Sequence, residues 1–241
     1  MLRPSIIIFF TIFSLSLYAQ QSAQVTYNVV KIPEHPVAQK ILQQQGKDYY
    51  NRRIKKYEKI YGITKDFNYI LQFNAKESRY EWQEEMRDET VNEYVWILGK
   101  LLGGGLSVKY QNQRDSLLMS QFVSPVDHKR YRETSSLYQQ EWRITNETDT
   151  ILGYPVIKAV NGRYVAWFTP NISVPFGPNG SGGLPGLILK LYNERQFPAF
   201  AIVATEIHLY KKPIKIKKPN KGILRTQSQG RATRIKNLNK L

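Results

Sequence analysis

The sequence predicts a mainly β protein, built as a single antiparallel sheet that is curved or partly closed like a barrel, with a helical insertion near the N-terminus. Three observations lead there. About ten short runs rich in β-branched and aromatic residues recur along the 241 residues, separated by polar or Gly/Pro-rich turns. Asn161-Gly162 stands between two of these runs, and both residues tolerate the positive φ of a two-residue hairpin turn. Only the region 38–61 places its apolar residues at helical spacing.

The elements follow in order. Residues 1–19 read as a secretory signal, with Arg3 as the positive start, Ile6 to Leu17 as the apolar stretch and a small residue for cleavage at Ala19. That stretch is far shorter than the roughly 20 residues of a membrane span, so the mature chain is expected to be exported. Residues 24–30 alternate as a strand that Pro33 and Pro36 end. In 38–61, Ile41, Leu42, Tyr49, Tyr50, Ile54, Tyr57 and Ile60 fall near a 3.6 period, with basic residues opposite and Gly46 weakening the middle. Strands are expected at 68–74 and 78–82, around the polar turn at 75–77. Seven acidic residues in 77–93 look like a solvated loop or short helix. The apolar run Val95 to Leu98 leads into Gly103-Gly104-Gly105, which lacks the Lys-Ser/Thr of a phosphate loop and reads as a flexible loop between strands. Further strands are expected at 106–111, 117–123, 130–134, 140–145, 154–160, 163–168, 187–192 and 199–210.

Charge divides the chain. The net charge is +16, yet residues 20–210 hold 23 basic and 19 acidic residues, while 211–241 hold 11 Lys or Arg and no acid. This suggests a nearly balanced domain over 20–210 and a flexible basic tail over 211–241. The tail has no aromatic residue on which single-stranded nucleic acid could stack, so nucleic acid is not the expected partner. It also lacks a long apolar face. What remains is loose, salt-sensitive attraction to an anionic envelope surface, and loss of such a tail would leave the melting temperature unchanged.

A specific constellation spans 140–192. It comprises Trp142-Arg143-Ile144-Thr145, Thr150-Ile151-Leu152-Gly153-Tyr154, Lys158-Ala159 and Gly162-Arg163-Tyr164-Val165-Ala166-Trp167-Phe168-Thr169-Pro170. Ile172, Gly177-Pro178 and Gly183-Leu184-Pro185-Gly186-Leu187-Ile188-Leu189 complete it. In order and spacing it resembles the GLPGLI family of secreted Bacteroidota proteins, whose activity is not established. The resemblance implies a periplasmic or cell-envelope protein and carries no catalytic residues over. Val156 replaces a Cys that many members have, and Asn179-Gly180-Ser181 replaces an aromatic. If 163–168 is extended, Tyr164, Ala166 and Phe168 face one side and Arg163, Val165 and Trp167 the other. Arg163, Tyr164, Trp167 and Phe168 are the candidate binding residues; Gly183, Leu184, Pro185, Gly186, Leu187 and Ile188 are read as structural, with Gly186 in a conformation a Cβ would strain.

The residues point away from catalysis. With no Cys there is no thiol nucleophile, disulfide, thiolate metal site or lipid-bearing lipoprotein cysteine. His35, His128 and His208 are scattered without metal spacing or a nucleophile elbow, so neither metal nor cofactor is expected. The reading is a non-catalytic binding or accessory module for an envelope protein or an apolar ligand. The alternatives are a hydrolase whose carboxylate pair meets only in space, and a structural surface protein.

Overall fold

A computed structural model describes residues 22–32, 36–64, 66–84, 86, 89–137, 141–195 and 200–238. The expected signal and His35 lie outside the described residues. Strands β1 (Ser22–Lys31), β2 (Tyr69–Phe73), β3 (Glu77–Trp82), β4 (Ser107–Asn112), β5 (Leu117–Val123) and β6 (Arg130–Ser136) form one meander. A second comprises β7 (Arg143–Ile151), β8 (Tyr154–Asn161), β9 (Tyr164–Thr169), β10 (Leu187–Asn193) and β11 (Phe200–Tyr210). The two join where β1 pairs antiparallel with β11. A last strand, β12 (Ile223–Thr226), adds to β6 in parallel. The sheet order is β12-β6-β5-β4-β3-β2-β1-β11-β10-β9-β8-β7. The fold is mainly β and single-sheeted, as expected. The sheet is mixed rather than wholly antiparallel, and it is not closed into a barrel: β7 and β12 are its edges.

The alternation of β1 sets the inner face. Val25, Tyr27 and Val29 are buried with Tyr69, Leu71 and Phe73 of β2 and Tyr80 of β3. The cover is the Gly/Pro-rich connection 170–186, which drives Ile172, Val174 and Phe176 into this core. The phenols reach backbone carbonyls, as buried hydroxyls must. Tyr27 donates to Ile188 at 2.7 Å and Tyr80 to Gly103 at 2.7 Å. The space that the inner face would offer an apolar ligand is therefore filled by the chain itself.

Helix α1 (Pro36–Thr64) breaks at Gly46, whose φ is 78°. The apolar run after residue 93 is not a strand but helix α2 (Glu93–Leu102), started by Asn92, whose side chain accepts from the Tyr94 N–H at 2.9 Å. Trp96 stands edge-on to Phe67, ring centres 4.6 Å apart. The triple glycine after α2 is not a loose connection. A Cβ at Gly103 would collide with the Tyr69 ring, so the missing side chain is what lets the helix end reach the sheet.

Residues 211–226 are not a free tail. From Tyr210 the chain turns across the outer face of the first meander as an extended strap. Asn74 donates to the Ile214 carbonyl at 3.0 Å and Arg79 to Lys217 at 2.9 Å. Gln121 donates to Lys221 at 2.6 Å and Arg132 to Gly222 at 3.2 Å. Twelve extended residues reach at most about 40–43 Å, enough to cover the roughly 34 Å from β11 to a strand beyond β6. Ile216 is buried against Tyr110 and Met119, while Lys211, Lys212, Lys215, Lys217, Lys218 and Lys221 point to solvent. The strap ends in β12 and helix α3 (Gln227–Leu238). The domain thus continues past residue 210, because the outer face of β4 and β5 is apolar and needs a cover.

Candidate ligand-binding site

The expected binding residues do not converge. Tyr164 is 36 % exposed at the β8–β9 turn, with the Arg163 guanidinium 5.3 Å from its ring centre. Phe168 is buried with Ala159, Ala166, Leu184 and Ile188, while Trp167 packs on the opposite face against the main core. The alternation is as expected, and the result is packing.

The 183–188 block is likewise packed. The Trp142 indole donates to the Gly182 carbonyl at 2.9 Å, so the first part of the constellation clasps the last. Gly183 has a φ of 86°, which favours glycine. Gly186 is required for a different reason than backbone conformation: a Cβ there would strike the Thr169 carbonyl.

Elsewhere the inner face turns polar. In the register of β3, β4, β5, β6 and β12, Tyr80 opposes Lys109, Lys109 opposes Ser120, Ser120 opposes Glu133 and Glu133 opposes Arg225. One crosswise row thus holds two cations, a carboxylate and a hydroxyl. Lys109 Nζ donates to Ser120 Oγ at 3.0 Å. Arg225 Nε and Nη2 both donate to Glu133 Oε1, at 2.9 and 2.7 Å, and the guanidinium lies 3.6 Å over the Tyr131 ring. A cavity of about 480 Å³ opens beside the row, lined also by Leu118, Thr134, Ser135, Ser136, Leu137 and Gln227.

Each side chain has a structural cause. Lys109 lies beneath Gly180 of the short turn Pro178–Gly180, whose place is fixed by Gln111 donating to the Gly180 carbonyl at 3.1 Å. Burial holds the Lys109 ammonium below the usual lysine range, with Glu133 pulling the other way. Glu133 is 9 % exposed and sits under α3, where a Cβ at Gly230 would collide with its carboxylate. A buried carboxylate gripped by two guanidinium hydrogens has its charge balanced in place and its oxygen held in a fixed position. The row can receive an oxygen-rich group: Lys109 supplies charge, the hydroxyls of Ser120 and Ser135 supply hydrogen bonds, and a Glu-Arg pair stiffens the wall.

Sequence reasoning missed this row. The alternation of Ser107-Val108-Lys109-Tyr110-Gln111 puts Lys109 on the solvent side when one face is assumed wet. Two covered faces reverse that. The visible signal was the strap's own Ile214 and Ile216 among lysines. Of the histidines, His128 is exposed in the β5–β6 turn. Its neighbour Asp127 accepts from the Tyr131 hydroxyl at 2.6 Å, a bond that holds its carboxyl down to about 2. The His208 ring centre lies 4.8 Å from that of Tyr210. Among the described residues no group of His, Asp or Glu could hold a metal, and no helix is long and apolar enough to cross a membrane.

Two solved structures of PNGF-II, in the P21 and C2 space groups, are similar in fold, with TM-scores of 0.53 and 0.54 at 17 % sequence identity. The likeness covers 88 % of this chain, which spans 32 % of the length of those structures. No protein-family profile and no curated protein matches the chain.

Proposed function

We propose that the chain is an exported, GLPGLI-type envelope module that binds rather than transforms its ligand, and that the ligand is a small oxygen-rich anion such as an acidic saccharide. The observation that carries this reading is the row Lys109-Ser120-Glu133-Arg225 beside its cavity. Its carboxylate is clamped by arginine, and its cation is desolvated and set among hydroxyls. A desolvated ammonium gains from an anionic partner because little water competes for it. Export rests on residues 1–19 and family membership on the 140–192 constellation. Calorimetric titration of the full chain with neutral and carboxylated oligosaccharides tests the ligand class. Binding of the acidic members that Lys109→Met abolishes supports it; equal binding of neutral ones, or no loss in Lys109→Met, overturns it.

Hydrolysis is the second reading, favoured by the 3.0 Å contact of Lys109 with Ser120. Were Lys109 to titrate to its neutral form, it could act as base to Ser120. Labelling of Ser120 by a fluorophosphonate would turn the reading from binding to acyl transfer.

A further inference from the structure

Helix α2 is apolar over most of its circumference, Glu93 and Lys100 sharing one narrow side, but only one apolar side is covered. Trp96 and Gly99 face the sheet, the former against Phe67 and Trp82, the latter accepting from the Tyr69 hydroxyl at 3.3 Å. The opposite arc carries Tyr94, Ile97 and Leu101, at the i, i+3, i+7 spacing of a single face. They are 61 %, 38 % and 49 % exposed. A short helix with so wide an apolar arc ordinarily has neighbours on more than one side. This one has a groove of about 360 Å³ alongside, floored by Ile60, Val95 and Leu98 and rimmed by Arg52, Lys55 and Lys59 of α1.

The charges decide what the surface accepts. Helix α1 carries Lys40, Lys47, Arg52, Arg53, Lys55, Lys56 and Lys59 against two acids, Asp48 and Glu58. Glu58 is paired with Lys31 at 3.5 Å. On α2, Glu93 lies in the first turn and Lys100 sits 3.9 Å over the Trp82 ring, near Glu84. Among the described residues no carboxylate lines the groove. An exposed apolar arc with cations on its flank is the pattern of a helix lying in a lipid interface, side chains in the acyl boundary and basic groups among the headgroups.

We infer that α1 and α2 form a docking surface for an anionic lipid leaflet, with Tyr94, Ile97 and Leu101 entering the interface and Arg52, Lys55 and Lys59 meeting lipid phosphates. This is separate from the polar row and from the strap lysines, among which Ile216 is buried, the exposed Ile223 and Leu224 lying beyond the strap in β12. Exposed side chains carry the contact, so their replacement leaves the fold intact.

The test is sedimentation of the full chain with vesicles of phosphatidylcholine alone or mixed with phosphatidylglycerol. The expected result is binding to the mixed vesicles only, weakened on the order of tenfold by Ile97→Ser with Leu101→Ser, and comparably by Arg52→Gln with Lys55→Gln and Lys59→Gln. A strap variant with Lys215, Lys217 and Lys218 changed to Gln should bind as the parent does. Circular dichroism melts establish that each variant is folded. A Tyr94→Trp reporter should shift its emission to the blue on the mixed vesicles. No binding by the parent, equal binding to phosphatidylcholine alone, or full binding by the serine variant would overturn the inference. Loss of binding in the strap variant alone would move the contact to the strap and overturn it equally.

Discussion

Ending the chain at Tyr210 should cost a large share of the fold's stability. The truncation removes the strap, β12 and α3 together. Ile216 loses a site where it is 5 % exposed, worth about 1.5–3 kcal/mol. Tyr110 and Met119, now 1 % and 3 % exposed, lose their cover; partial exposure of each adds about 1 kcal/mol. Glu133 loses both guanidinium bonds. Water returns to it once α3 is gone, so the full penalty of a stranded buried charge does not apply, and about 1.5–3 kcal/mol is the fitting figure. The sum is about 5 kcal/mol or more, against a total stability of about 5–15 kcal/mol for an ordinary domain. With an m-value of about 2 kcal/mol/M, the urea midpoint should fall by about 2.5 M. The assay is urea unfolding of the parent chain and of the chain stopped at 210, with Ile216→Ala as an internal gauge at about 2–3 kcal/mol. Coincident midpoints for all three would refute the strap as a structural element and restore a dispensable tail.

Glu133→Ala in the full chain leaves Arg225 without its partner under α3, and should destabilise by about 3 kcal/mol, the lower end for a broken buried pair; thermal melts check it. Gly186→Val forces a side chain onto the Thr169 carbonyl and should lower stability by about 1–3 kcal/mol by overpacking, while Gly162→Ala, at an open turn, should show only the smaller strain of its 56° φ. For Lys109 the sign runs with alkali. Its folded pKa lies below the ordinary 10.5, so stability increases as pH rises from the folded value towards 10.5. Affinity for an acidic ligand should fall over that interval, and Lys109→Arg should carry binding to higher pH, measured by titration calorimetry across the range.

Much of the architecture was legible because its rules are local. Period-two runs placed most strands of both meanders, although β7 runs from Arg143 to Ile151 rather than over 140–145. Gly46 marked the break in α1, and Gly162 marked the β8–β9 turn, whose two residues are Gly162 and Arg163 while Asn161 stays paired with Tyr164. What escaped depends on distant partners. Val95-Trp96-Ile97-Leu98 has no period of its own, since a run apolar on every side suits a buried strand as well as a helix. The strap escaped because its burial lies in two isoleucines amid lysines, and β12 because four residues make a strand only where β6 offers an edge. The site escaped for the same reason. Lys109, Ser120, Glu133 and Arg225 come from four strands, and only the register brings them into one row. Of the candidate residues in 163–168, Trp167 and Phe168 serve packing, while Arg163 and Tyr164 sit at the exposed β8–β9 turn.

The seam between β1 and β11 bears on how the chain can fold. Thr26 pairs with Glu206, and Asn28 with Val203, across most of the chain's length. Each meander can form from neighbours as it is made, but β1 stays an open edge in the middle of the future sheet until residues 200–210 exist. Closing so long a loop is slow, and an open hydrophobic edge invites wrong pairings while it waits. Tyr27 and Val29 are the residues left unshielded in that interval. The strap follows directly after β11 and crosses back over the first meander, so a segment synthesised after both meanders fastens the two halves once they have met. Assembly is then ordered by the chain itself, and any agent that holds nascent chain open would act on this seam.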